Sequence, residues 1–91
     1  MTIKHFHLIV QGRVQGVGYR FACKQRADEL GLYGWVKNRP NGSVEIVVEG
    51  DEKSLDTFLQ WTKNGPPYAD VVDVEVTESA TCDAYVNFDI Y

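Results

Sequence analysis

At 91 residues the chain has room for one hydrophobic core, so residues 1–91 are expected to form a single domain. Hydrophobic side chains make up 44% and charged ones 24%, a composition that excludes a disordered chain. The formal net charge of −4 is the opposite of the clustered Lys and Arg with which proteins hold nucleic-acid backbones, so a DNA or RNA module is disfavoured. A small anion stays compatible, because it needs only one local group of donors.

The first residues, Met1-Thr2-Ile3-Lys4-His5, run straight into a strand-like pattern. There is no basic segment followed by an apolar one, as a secretory leader requires, and no apolar run approaches membrane-spanning length. The two cysteines, Cys23 and Cys82, are too few for a disulfide scaffold and lack metal-site spacing. The expected location is the cytosol with both thiols reduced. The spacing leaves open a single Cys23–Cys82 disulfide.

Residues 4–12 read as a strand with Phe6, Leu8 and Val10 on one face at period two. Gly12 to Gly18 is a glycine-rich loop. Cys23, Ala27 and Leu30 then form one stripe of a helix from Tyr19 to Leu30, which Gly31 ends. Leu32 to Asn38 is a second strand. Arg39-Pro40-Asn41-Gly42 is a hairpin turn, and Ser43 to Glu49 a third strand. Asp51 is placed to cap a second helix with Leu55, Phe58, Leu59 and Thr62 on its inner stripe, stopped at Asn64-Gly65-Pro66-Pro67. Val71 to Thr77 and Tyr85 to Tyr91 read as the last two strands, around a polar segment from Glu78 to Asp83. No linker, repeat or low-complexity stretch interrupts them. The order βαββαβ(β) predicts an α+β ferredoxin-like sandwich: two helices on one face of a four- to five-stranded antiparallel sheet, the other face solvated.

The segment Gly12-Arg13-Val14-Gln15-Gly16-Val17-Gly18-Tyr19-Arg20 carries the most chemistry. It joins the first strand to the first helix. Glycines let backbone approach a ligand, and successive N–H groups at a helix N-terminus make an anion-binding concavity. Arg20 adds a planar fork of donors that grips phosphate bidentately. The loop lacks the Gly-Lys-Ser/Thr ending of a Walker A motif. It also fails the dinucleotide fingerprint, since Phe21 stands where the third glycine belongs. On the residues alone, an ordinary βα connection with a solvated arginine competes with an anion cradle. An arginine in a helix's first turn opposes the macrodipole, a conflict that a bound anion offsets.

These residues resemble the first signature of the acylphosphatase family. The run from Leu30 to Glu45, with Gly34-Trp35-Val36-Lys37-Asn38-Arg39 at its centre, resembles the second. Asn64-Gly65-Pro66-Pro67 and the final Phe88-Asp89-Ile90-Tyr91 are also similar, so the likeness spans nearly the whole chain. It implies hydrolysis of the carboxyl–phosphate anhydride of acyl phosphates without metal or cofactor. Arg20 matches the family's phosphate-binding arginine, Asn38 its water-orienting asparagine, and the main chain of Gln15, Gly16, Val17, Gly18 and Tyr19 its phosphate cradle. Inorganic phosphate is the implied product and inhibitor, and a monomer the default state.

Taken alone, an asparagine at a strand end before Arg-Pro reads as a turn residue; the resemblance gives Asn38 its catalytic role. An amide both accepts and donates hydrogen bonds, so it orients a water without deprotonating it. His5 and His7 share one strand face with no third metal ligand apparent. Asp70, Asp73, Glu75 and Glu78 read as a solvated face, Trp35 and Trp61 as packing, and Arg13 as a surface charge or a contributor to the local positive field. Two rivals remain. One is a non-catalytic ferredoxin-like module for RNA or a small anion, against which stand the acidic charge and the lack of an aromatic-basic stripe. The other is a domain of a larger hydrogenase-maturation protein, against which stands a chain that begins and ends close to its outer elements.

Overall fold

The computed structural model describes residues 3–79 and 85–91. The elements run β1 (Ile3–Arg13), α1 (Tyr19–Leu30), β2 (Tyr33–Asn38), β3 (Val44–Asp51), α2 (Glu52–Thr62), β4 (Asp70–Ser79) and β5 (Phe88–Ile90). Their sheet order is β4-β1-β3-β2-β5. β1 and β2 flank β3, and β3 and β4 flank β1, so two split βαβ units interleave. This is the ferredoxin-like arrangement expected from the element order.

One detail of the expected sheet is corrected. β4–β1, β1–β3 and β3–β2 pair antiparallel, but β5 pairs parallel to β2, with Gly34, Trp35 and Val36 opposite Phe88, Asp89 and Ile90. The sheet is therefore mixed. β4 and β5 follow each other in sequence yet occupy opposite edges, so β5 cannot return as a hairpin partner. β5 is also shorter than expected: residues 85–87 are not in the ladder. The Glu78–Asp83 segment is described only as far as Ser79, the last residue of β4. Cys82, and with it the Cys23–Cys82 pairing, lies outside the described residues.

The alternation read from β1 sets the register. Phe6, Leu8 and Val10 face Val48, Ile46 and Val44 across the β1–β3 ladder. This face carries the core. Leu8, Val10, Val36, Ile46, Val48 and Phe88 meet Tyr19, Cys23 and Ala27 of α1 and Leu55 and Phe58 of α2, all buried. At 25 cal/mol per Å², each such side chain contributes about 1.5–3 kcal/mol. Burial also pushes the Cys23 thiol well above its ordinary value, which makes it a packing group and not a nucleophile. α1 ends as its glycine predicts, with the Gly31 N–H on Asp28 O (3.2 Å) and the Leu32 N–H on Ala27 O (2.9 Å). The Asp51 side chain caps α2 through the Lys53 N–H at 3.1 Å. Leu59, on the expected inner stripe, is only partly buried. No helix among the described residues is long and apolar enough to cross a membrane.

The opposite face is polar over part of its area. His7 Nε2 donates to Glu45 Oε2 at 2.6 Å, and Lys37 Nζ lies 3.8 Å from Glu45 Oε1. His5, which shares a strand face with His7 and is not expected to be a metal ligand, is buried with its ring edge-on to Tyr85 at 6.4 Å. No cluster of three or more His, Cys, Asp or Glu side chains gathers among the described residues. Asp70, Asp73, Glu75 and Glu78 are all exposed along the edge strand β4, as expected. The His7 hydrogen bond, with the Lys37 and Arg39 charges, holds the Glu45 carboxyl below its usual range. A depressed folded-state value stabilises the fold above the unfolded carboxylate's titration and is lost as pH falls through the folded one. Glu45→Gln is therefore expected to be less stable than the parent at pH 7, with the gap narrowing below about pH 4.5. Urea unfolding of both proteins from pH 7 to 3 measures it.

Candidate functional site

β1 and β2 are both antiparallel to β3, so they run in the same direction; β5 runs parallel to β2. The C-terminal ends of all three strands therefore reach one edge of the sheet. The loop after β1, Asn38 at the end of β2, and Ile90 at the end of β5 converge there on a concavity of about 270 Å³. Gly16, Gly18, Tyr19, Arg20 and Asn38 line it, together with Val14, Phe21 and Ile90. Two residues of the expected cradle, Gln15 and Val17, are outside this lining: Val17 packs on the core, and Gln15 points to the neighbouring hairpin. A larger cavity of about 420 Å³ lies between α1 and the end of α2, around Arg26 and Trp61, and contains none of these residues.

The local sequence explains the loop's shape. Gly16 and Gly18 have φ of 73° and 79°, a left-handed backbone that side chains with a Cβ adopt at a cost of roughly 1 kcal/mol or more. No neighbour lies within 4 Å of where their Cβ atoms would sit, so the requirement is conformational and not steric. Gly18 is the N-cap of α1, and no side chain caps this helix; its first turn also lacks an acidic residue. Among the described residues, nothing accepts a hydrogen bond from the main-chain N–H groups of Gly16 through Phe21. The start of α1 is thus a set of free donors at the positive end of a helix, with Arg20 in the same turn.

Two anchors hold this loop, and neither is readable locally. Tyr19 turns inward and is 1% exposed. Its hydroxyl donates to Thr62 O at 2.9 Å, and its ring lies 5.5 Å from that of Trp61. Burial, with the nearby Cys23, pushes the phenol far above its ordinary value, so it stays a neutral donor. Gln15 spends both amide hydrogens on the β2–β3 hairpin, reaching Arg39 O at 2.8 Å and Ser43 O at 2.9 Å. The hairpin is closed by Gly42 N–H to Arg39 O at 3.1 Å and by the Asn41 carboxamide on Ser43. Gln15 therefore ties the loop of Arg20 to the hairpin of Asn38.

Arg20 is itself held. Its Nη1 donates to the Tyr91 main-chain oxygen at 2.8 Å. Tyr91 is fixed by its N–H on Val36 O (2.8 Å) and by its ring against Trp35 (6.1 Å). Nη1 lies on the other side of the guanidinium from the Nε–Nη2 edge, so that edge stays available for a bidentate anion. The Asn38 side chain is exposed and has no hydrogen-bond partner among the described residues. Arg13 is exposed at the end of β1 and does not line the concavity. Trp35 is half-buried on the polar face, with Lys37 Nζ 5.2 Å from its ring centre. Trp61 packs against the core.

An α+β sandwich with an arginine-bearing loop of free main-chain donors at the end of the sheet is the class that these observations define. Comparison with known proteins gives the family. The acylphosphatase family model matches residues 6–90. The acylphosphatase of Methylococcus capsulatus is 48% identical over 86 residues, 94% of both chains. The crystal structure of acylphosphatase from Bacillus subtilis superposes with a TM-score of 0.94 at 44% identity, over 99% of each chain. The crystal structure of T. kodakarensis HypF superposes with a TM-score of 0.84 at 35% identity, over 97% of this chain and 12% of that one. The chain belongs to the acylphosphatase family, enzymes that hydrolyse acyl phosphates.

Replacing Gln15 by Leu removes two hydrogen bonds from partly buried carbonyls while keeping the side-chain bulk. Neutral bonds of this kind contribute about 0.5–1.5 kcal/mol each, so Gln15→Leu is expected to lose about 1–3 kcal/mol. Thermal unfolding is expected to show a fall of roughly 4–24 °C in Tm.

Proposed function

We propose that residues 1–91 act as a single catalytic domain that hydrolyses the carboxyl–phosphate anhydride of acyl phosphates, using Arg20 and Asn38 and neither metal nor cofactor. The observation that carries this reading is the convergence of Arg20, Asn38 and the uncapped start of α1 on one concavity. The N–H groups of the 15–19 loop and the free edge of Arg20 hold the phosphoryl oxygens and offset the charge that spreads over them. Asn38, in the lining of the same concavity, accepts from and donates to the attacking water and sets it in line with the phosphorus.

The chemistry matches this sparse set of groups. As the water oxygen bonds to phosphorus, the phosphorus–oxygen bond to the acyl group breaks, and its electron pair leaves on the carboxylate. The water's proton passes to the phosphate product or to solvent. A carboxylate leaving group titrates near pH ~4 and needs no proton at neutral pH. A loose phosphoryl-transfer transition state requires mainly charge stabilisation and alignment. Inorganic phosphate, the product, occupies the same donors and inhibits competitively. The acidic net charge supports a small-molecule substrate over a nucleic acid, and the reading is of a monomer in the cytosol.

Two experiments test it. With EDTA present, acetyl phosphate is expected to be hydrolysed at an undiminished rate and far faster than an alkyl phosphate monoester, whose alkoxide leaving group needs a proton donor. Chelator-sensitive turnover, or equal rates on the two classes, contradicts the mechanism. In the second experiment, Asn38→Ala is expected to lose roughly 10²–10³ in kcat while inorganic phosphate still raises its Tm. Arg20→Ala is expected to lose both turnover and that thermal shift. Near-normal kcat in Asn38→Ala would return this residue to a turn-forming role.

A further inference from the structure

β5 is held in the sheet by little. It runs only from Phe88 to Ile90 and has one neighbour, β2. Alternate residues of a strand turn their main-chain groups to opposite sides. The Gly34 N–H donates to Asn87 O at 2.9 Å and the Tyr91 N–H to Val36 O at 2.8 Å, so the odd-numbered residues bond toward β2. The C=O of Phe88 therefore faces the free edge of the sheet, where no strand offers a donor. Lys24 of α1 offers one: its Nζ donates to Phe88 O at 2.7 Å.

Lys24 stands one helical turn after Arg20, at i+4, and so on the same face of α1. Arg20 Nη1 takes the Tyr91 oxygen and Lys24 Nζ the Phe88 oxygen. One helix face thus grips β5 on either side of Asp89 and Ile90. The other partner of Lys24, Asp28 at 3.1 Å, forms an exposed i,i+4 pair with the cation first, the weaker order, and contributes little. Lys24 does not line the concavity of Arg20 and Asn38; it borders a separate hollow with Phe21, Gln25 and Asp28.

We infer that Lys24 is a positioning residue for Arg20: by fixing β5 against α1 it sets where the Tyr91 oxygen stands, and that oxygen orients the guanidinium. This role rests on the assignment of Arg20 to the phosphate and adds the residue that aligns it. A guanidinium already held in one orientation loses little freedom when a phosphoryl group arrives, whereas a loose one must be ordered on binding, which lowers affinity and rate alike. An ammonium suits the task because its bond to a carbonyl is charge-assisted and stronger than a neutral one.

The test is steady-state hydrolysis of acetyl phosphate well below Tm, with inhibition by inorganic phosphate and thermal unfolding, for the parent, Lys24→Met, Lys24→Arg and Arg20→Ala. Lys24→Met keeps the aliphatic stem and a good helix former but removes the donor. It is expected to lower kcat/KM roughly tenfold, an order short of the 10²-fold that a direct misplacement of about 1 Å costs. The inhibition constant of phosphate is expected to rise by a similar factor, at low and high salt alike. Lys24→Arg keeps a charged donor of similar reach and is expected to recover most of both. A lowered Tm in Lys24→Met with parent-like kcat/KM and phosphate inhibition marks a merely structural contact and overturns the positioning role. So does a loss that disappears at high salt, the mark of a long-range charge effect, or a Lys24→Arg as impaired as Lys24→Met. With Arg20→Ala inactive, these outcomes overturn the role of Lys24 alone. Parent-like hydrolysis by Arg20→Ala overturns the site assignment, and the positioning role with it.

Discussion

The site depends on one pairing arrangement: β3 lies between β1 and β2 and is antiparallel to both. That arrangement makes β1 and β2 point the same way, and the proposed site residues lie at the ends of both strands. Had β2 paired directly with β1 as a hairpin, Asn38 and the Arg20 loop would sit at opposite edges of the sheet. The interleaved order also explains the economy of the site. β3 starts between the two strand ends, so the carbonyl of Ser43, the residue just before it, is within reach of Gln15, and one carboxamide joins the loop to the hairpin. The same edge rule, that ligands collect where parallel strands end, governs larger α/β proteins.

The start of α1 carries an unresolved electrostatic demand. Among the described residues its first-turn N–H groups lack acceptors, its N-cap is a glycine without a side chain, and its first charged residue is a cation. Each feature taken singly weakens a helix, and together they support the proposal that an anion binds there. The rest of the fold offsets the cost. Tyr19 is anchored to the end of α2, Gln15 to the hairpin, and Arg20 to the Tyr91 oxygen. The donors are held in place by these contacts, so little ordering would remain to oppose the proposed anion binding.

The absence of an acid from the site's lining among the described residues fits the leaving group it faces. An anhydride between a carboxylic and a phosphoric acid already carries a good leaving group at neutral pH. In the proposed mechanism position and positive potential are then sufficient, and both come from backbone geometry and one guanidinium. The buried thiol of Cys23 and the buried phenol of Tyr19 are neutral packing groups, so neither competes as a nucleophile.

By itself the sequence determined the helix limits, the hairpin turn, the inner faces of β1 and β3, and the family signatures around Arg20 and Asn38. These are local properties: period, capping residues, turn residues and contiguous motifs. Tertiary structure alone decided which ends meet. The parallel seating of β5 beside β2 has no local signal, because the polar segment before it reads as well for a hairpin as for a crossing. The Gln15 carboxamide acquires its role from carbonyls 24 and 28 residues away. Tyr19, a helix-start residue in the sequence, becomes an anchor only when α2 supplies the Thr62 oxygen 43 residues on. Phe21 and Ile90 line one concavity because α1 lies over the end of β5. Pattern along the chain fixes what each segment is; contacts between distant segments fix what it faces, and that information resides in pairing and packing between elements.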